Sequence, residues 1–119
     1  MHEIYRLEYE NGKGVYWAAP PEVNYDLLSL PHHQEDPEDH PRPEEDSMGR
    51  SAWAGMIFGF QSLQDLRAWF CGAERLYLSS WGVLCSKYFA RGPIIAGKKQ
   101  VAFYRNSATL LWQKELNHF

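Results

Sequence analysis

Hydrophobic and polar positions alternate from the start of the chain. Tyr5, Leu7 and Tyr9 fall on one face and Ile4, Arg6 and Glu8 on the other, the period of a strand with one face in a core. Asn11-Gly12 follows, and because both residues tolerate positive φ the pair predicts a two-residue hairpin turn. A return strand is expected from Gly14 to Ala18, ended by Pro20 and Pro21, which cannot donate to a ladder. Residues 24–30 place Tyr25, Leu27 and Leu28 without a definite period, as a helical turn or a tether on the core would. From Pro31 to Gly49 the pattern lapses. Met48 is the single apolar side chain there, and prolines stand at 31, 37, 41 and 43. Such a segment buries too little surface to offset its ordering entropy and reads as an irregular, solvated insertion.

Apolar character returns over Ser51 to Phe60, which reads as a buried strand with glycines at bends or close approaches. Ser62 then has the character of a helix N-cap, and Asp65 in the first turn is favoured by the helix dipole. Leu63, Leu66 and Phe70 form the buried stripe of that helix with Trp69 beside it, and Gly72 is expected as its left-handed cap. A second short helix over Ala73 to Trp81 ends at Gly82 in the same manner. The period then returns to two: Val83, Cys85 and Phe89 alternate with Leu84, Ser86 and Tyr88. Short strands are expected over Pro93 to Ala96 and Gln100 to Tyr104, around a Gly97-Lys98-Lys99 turn. A last strand follows over Ala108 to Lys114, with Ala108, Leu110 and Trp112 on one face. The pattern predicts one α+β domain over residues 1–119: a twisted, mostly antiparallel sheet of about six strands, two short helices and a long loop at 31–49.

Composition agrees with one domain, since 119 residues with 45% hydrophobic content suffice for a single core. No run approaches the ~18 apolar residues of a membrane span, and the first residues lack the basic and apolar regions of a secretory signal. The expected location is the compartment of synthesis, away from membranes. Cys71 and Cys85 lie among apolar neighbours without Cys-x-x-Cys spacing, and read as reduced core thiols, with a disulfide between them as the alternative.

Charge changes the picture more. The net value is −3, but Pro31 to Asp46 holds seven acids (Glu35, Asp36, Glu38, Asp39, Glu44, Glu45, Asp46) against Arg42 alone, a local −6. From Gln61 onward eight bases face Asp65, Glu74 and Glu115, a local +5. The acidic stretch either keeps an aromatic-rich protein soluble or meets a basic surface, where such charge accelerates association.

Other constellations have simpler readings. His32, His33, Asp36, Asp39 and His40 are metal-ligand types, yet a proline-rich loop does not fix their geometry as a helix would, so no metal is assigned. Arg6 and Glu8 form either a ligand site or a water-exposed charge pair on the non-core face of the first strand. Ser62 has no nearby base that would make it a nucleophile. Aromatics interleaved with Arg91, Lys98, Lys99 and Arg105 suit single-stranded nucleic acid, although Trp69, Phe103 and Trp112 occupy core-facing positions.

Across most of its length the chain resembles small bacteriophage and prophage proteins. The shared order is Tyr5-Arg6, Gly14-x-Tyr16, a loop from His40-Pro41 to Asp46, Phe58-Gly-Phe60-x-Ser62, Leu66-x-x-Trp69-Phe70 and Gln100-Val-x-Phe103. This resemblance implies a mobile-element protein in the cytoplasm of a bacterial host. More distantly, the order of elements is similar to a compact ADP-ribosyltransferase fold. That likeness implies NAD as cofactor, with Arg6, Phe60-x-Ser62 and Gln100 in the cleft. The fold's catalytic Glu is replaced by Gln100, whose amide brings no charge to an oxocarbenium transition state.

The leading expectation is a non-enzymatic accessory protein with neither catalytic residues nor cofactor. It would inhibit a host protein or protein–nucleic acid complex, in the manner of an anti-CRISPR, using Glu35, Asp36, Glu38, Asp39, Glu44, Glu45 and Asp46. The alternatives are an NAD-binding protein or enzyme using Arg6, Ser62 and Gln100, and a single-stranded nucleic-acid binder.

Overall fold

The computed structural model describes residues 2–12, 14 and 56–116. Most of the expected return strand, the 24–30 tether and the whole acidic loop lie outside these residues. Among the described residues six strands, His2–Glu8 (β1), Ile57–Gly59 (β2), Leu84–Ala90 (β3), Ile94–Ala96 (β4), Val101–Phe103 (β5) and Ala108–Glu115 (β6), accompany helices Leu63–Trp69 (α1) and Gly72–Ser80 (α2). Every strand pair is antiparallel. The domain is therefore α+β, but the strands form two three-stranded sheets, β1-β3-β6 and β2-β5-β4, instead of one.

The two sheets meet where Tyr5 and Phe60 exchange backbone hydrogen bonds of 2.8 and 2.7 Å. Gly59 permits this approach, because a Cβ there would stand 2.6 Å from Ile4 Cγ2 and 2.7 Å from the Tyr5 carbonyl oxygen. No side chain fits in that space.

The first sheet forms the middle layer. On its odd-numbered face, Leu7 and Cys85 pack with Leu66, Trp69, Phe70 and Leu78 of the helical region. On its even-numbered face, Ile4, Tyr88 and Ala90 pack with Val101 and Phe103 of the second sheet. β1 and β3 are thus covered on both sides, where the alternation in β1 places Arg6 and Glu8 on a non-core face. Ile4 is the residue on that face whose apolar side chain signals the second layer.

β6 departs from simple alternation. Lys87 pairs with Trp112 and Tyr88 with Leu110, so Leu111 is an extra residue in β6 and forms a β-bulge. The bulge places Leu110 and Trp112 on opposite faces, although sequence period puts them on the same one. Trp112 turns toward the helical core cluster and packs tilted against Tyr5, with ring centroids 6.2 Å apart.

Local signals are read more directly. Ser62 caps α1 by accepting from the Asp65 N–H at 3.0 Å. Ser62→Ala is expected to destabilise the domain by about 1 kcal/mol in chemical denaturation, since it leaves an N–H of the first turn without its partner. A change below a few tenths would remove the capping role. Gly82, with φ +87°, ends α2 as expected, whereas Gly72 opens α2 and does not close α1. The first hairpin is also displaced by one position. The Gly12 N–H donates to the Tyr9 carbonyl at 2.8 Å, so Glu10-Asn11 form the turn and Gly12 follows at φ +88°.

Candidate functional site

Arg6 and Glu8 are not an exposed pair. Glu8 is 0% exposed and is the centre of a polar cluster built on β1, β3 and β6. Its Oε1 accepts from Arg6 Nε at 2.9 Å and lies 3.6 Å from Arg105 Nη2. Its Oε2 accepts from the Tyr88 hydroxyl at 2.5 Å, from Ser86 Oγ at 3.2 Å and from Gln113 Nε2 at 3.4 Å. Gln113 Nε2 also donates to Ser86 Oγ at 3.0 Å. β pairing sets this up, because Arg6, Ser86 and Gln113 lie in register across the sheet with Glu8 one step along the same face. Burial, and then the bond to Glu8, push the Tyr88 phenol up to about 12, so near neutral pH it remains a donor.

Arg105 bridges this cluster to the first turn. It donates through Nη1 to the Tyr88 hydroxyl at 3.0 Å and through Nη2 to the Gly12 carbonyl at 2.6 Å. One of the basic residues considered for nucleic-acid contact is therefore held by hydrogen bonds within the fold, although its side chain remains 44% exposed. Trp69 and Phe103, expected at core-facing positions, are buried in the two cores.

Arg6 extends from the cluster to a pocket of about 180 Å³. Its Nη1 donates to the Phe58 carbonyl at 2.7 Å, fixing the guanidinium at the rim. Burial lowers the Arg6 pKa from its ordinary value, with Glu8 acting in the opposite direction. Met56, Phe60, Trp69 and Phe70 supply apolar lining, and Gln100 also lines the space. Two members of the NAD trio, Arg6 and Gln100, thus share a pocket. Ser62 is not among its described lining residues and is occupied in capping α1.

The remaining candidates divide by position. Glu35, Asp36, Glu38, Asp39, Glu44, Glu45 and Asp46, with His32, His33 and His40, lie outside the described residues. Among the described residues no group of three or more His, Cys, Asp or Glu side chains could hold a metal ion, and no helix is long and apolar enough to cross a membrane. Cys71 and Cys85 are both free thiols. Cys85 is in the core, where burial pushes its thiol up to about 12, but Cys71 is exposed at the start of α2 and is not a core residue.

The buried cluster was only partly legible. Sequence period separates Arg6 and Glu8 from the core, and nothing in it joins them to Tyr88, Arg105 or Gln113, which are distant along the chain. Comparison with known proteins supplies the context the geometry lacks. No curated protein and no solved structure matches the chain. A family model described as Bacteriophage T4 Y00F protein matches residues 1–117. With nearly its whole length matched, the chain belongs to the bacteriophage T4 Y00F protein family.

Proposed function

We propose that this phage protein is an accessory factor that binds and inhibits a host protein or protein–nucleic acid complex by protein–protein contact, in the host cytoplasm, without catalysis. A nucleic-acid-dependent defence complex, inhibited in the manner of an anti-CRISPR, is the target class. The carrying observation is the charge division, −6 over Pro31 to Asp46 against +5 from Gln61 onward. Seven carboxylates in one short segment offer a basic protein surface what nucleic-acid phosphates would otherwise offer it. Two features of the fold support this reading over NAD chemistry. Ser62 is committed to its helix, and a pocket of about 180 Å³ is small beside the ~300–1,000 Å³ usual for cofactor sites.

The test is affinity capture from host lysate followed by binding kinetics with the captured partner. Changing Glu35, Asp36, Glu38, Asp39, Glu44, Glu45 and Asp46 to their amides is expected to slow association at low salt by about tenfold or more and to flatten its salt dependence. Unchanged kinetics would exclude the acidic contact. Transfer of label from NAD to a host protein, lost in Arg6→Ala, would favour the enzyme instead, and a salt-sensitive shift of single-stranded nucleic acid would favour direct binding.

A further inference from the structure

The pocket beside Arg6 has a chemistry independent of the acidic segment. Arg6 is 12% exposed at its side chain, with Nε held by Glu8 and Nη1 by the Phe58 carbonyl. Its Nη2 makes no hydrogen bond among the described residues and passes close to Gly14, where a Cβ would lie 2.8 Å away. A donor is therefore held rigidly at the pocket, with no side chain at Gly14 to cover it. The surrounding charge also favours an anion. Among the described residues, Glu8 is the carboxylate bonded within the cluster, and it faces the guanidinium groups of both Arg6 and Arg105.

Part of the lining is aromatic. Phe60 packs against Trp69 and Phe70 with ring centroids 5.6 and 6.1 Å apart, and all three line the pocket. The volume of about 180 Å³ decides the size of the occupant. A cavity of roughly 150 Å³ accepts benzene, so this space takes one ring and a small head group, and no dinucleotide.

We propose that the pocket binds a small monocarboxylate bearing one aromatic ring, with the carboxylate on Arg6 Nη2 and the ring among Phe60, Trp69 and Phe70. The same chemistry is presented by a free aryl acid and by the C-terminal phenylalanine of a peptide.

Amide chemical shifts of the full chain, titrated with phenylacetate and separately with acetyl-glycyl-phenylalanine, test the proposal. Saturable shifts centred on Phe58, Gly59, Phe60, Trp69 and Phe70 are expected with at least one probe. Phenylacetate alone would assign a free acid, and the dipeptide alone would assign a chain end. The corresponding amides, phenylacetamide and acetyl-glycyl-phenylalaninamide, should bind about tenfold more weakly or worse, because a charge-assisted hydrogen bond is lost. Arg6→Lys should weaken the acid to a similar extent. Gly14→Ala, which places a Cβ 2.8 Å from Nη2, should weaken it as well by crowding that donor, and the unliganded spectra report whether each variant is folded. Equal binding of acid and amide, shifts centred elsewhere, undiminished binding by a folded Arg6→Lys or Gly14→Ala variant, or no shift with either acid at millimolar concentration would overturn the assignment.

Discussion

Glu8→Ala is expected to destabilise the domain by about 3–5 kcal/mol, measured as the loss of unfolding free energy in urea. The side chain it removes is 0% exposed and receives hydrogen bonds from Arg6, Ser86, Tyr88 and Gln113. Bringing these groups out of water is tolerable because the carboxylate compensates them. Its loss leaves the Arg6 guanidinium and the Tyr88 hydroxyl facing a cavity where water is restricted. Against a typical stability of about 5–15 kcal/mol, the change takes a large share of the total. The expected mechanism has a second signature. Adding Arg6→Met to Glu8→Ala should restore part of the loss, since the uncompensated charge goes with it, giving a coupling of about 0.5–3 kcal/mol. If Glu8→Ala lowers stability by less than about 1 kcal/mol, the cluster is not a stabilising centre.

Phe103→Ala is expected to have an effect of similar size, about 3–5 kcal/mol, for a different reason. Phe103 is 0% exposed, with its ring centroid 5.6 Å from that of Tyr88, and it belongs to the core between the two sheets. β2 and β4 both pair with β5, so a cavity at Phe103 lies beneath the whole second sheet. Removal of the ring forfeits its transfer free energy and leaves space that the paired backbone of three strands cannot collapse to fill. Denaturation should show the loss in the midpoint with an unchanged slope if unfolding remains two-state. Phe103→Leu should recover much of the stability, because it keeps most of the volume. An alanine variant within about 1 kcal/mol of the parent would mean that the second sheet contributes little to the core.

These two residues mark the boundary between what was legible and what was not. The strand containing Phe103 is readable because Val101-Ala-Phe103 is a short apolar run between turn residues. Glu8 was misread for the same reason that the strand of which it is part was read correctly. A period of two assigns faces, but it does not say whether the polar-looking face meets water or a second layer. The resemblance to phage proteins was carried by short motifs spread along the chain, and the family match over residues 1–117 agrees with it. Arg6 and Gln100, brought together in the sequence only by the likeness to an ADP-ribosyltransferase fold, line one pocket, whereas Ser62 serves α1.

The sequence by itself determined the positions of the described strands and helices to within a few residues, the Ser62 cap and the Gly82 stop, because each depends on side chains within a few residues of one another. It also determined the separation of acidic and basic charge, which is a property of order along the chain. Only the tertiary structure decided that six strands divide into two sheets, that Leu111 inverts the end of β6, and that Glu8 joins Arg6 to Arg105, Tyr88 and Gln113. Those outcomes depend on pairing between separate segments of the chain, such as Tyr88 with Leu110, Ile57 with Phe103 and Glu8 with Gln113. The energy of such a contact is realised only when both faces of β1 are covered, and no local period carries that information.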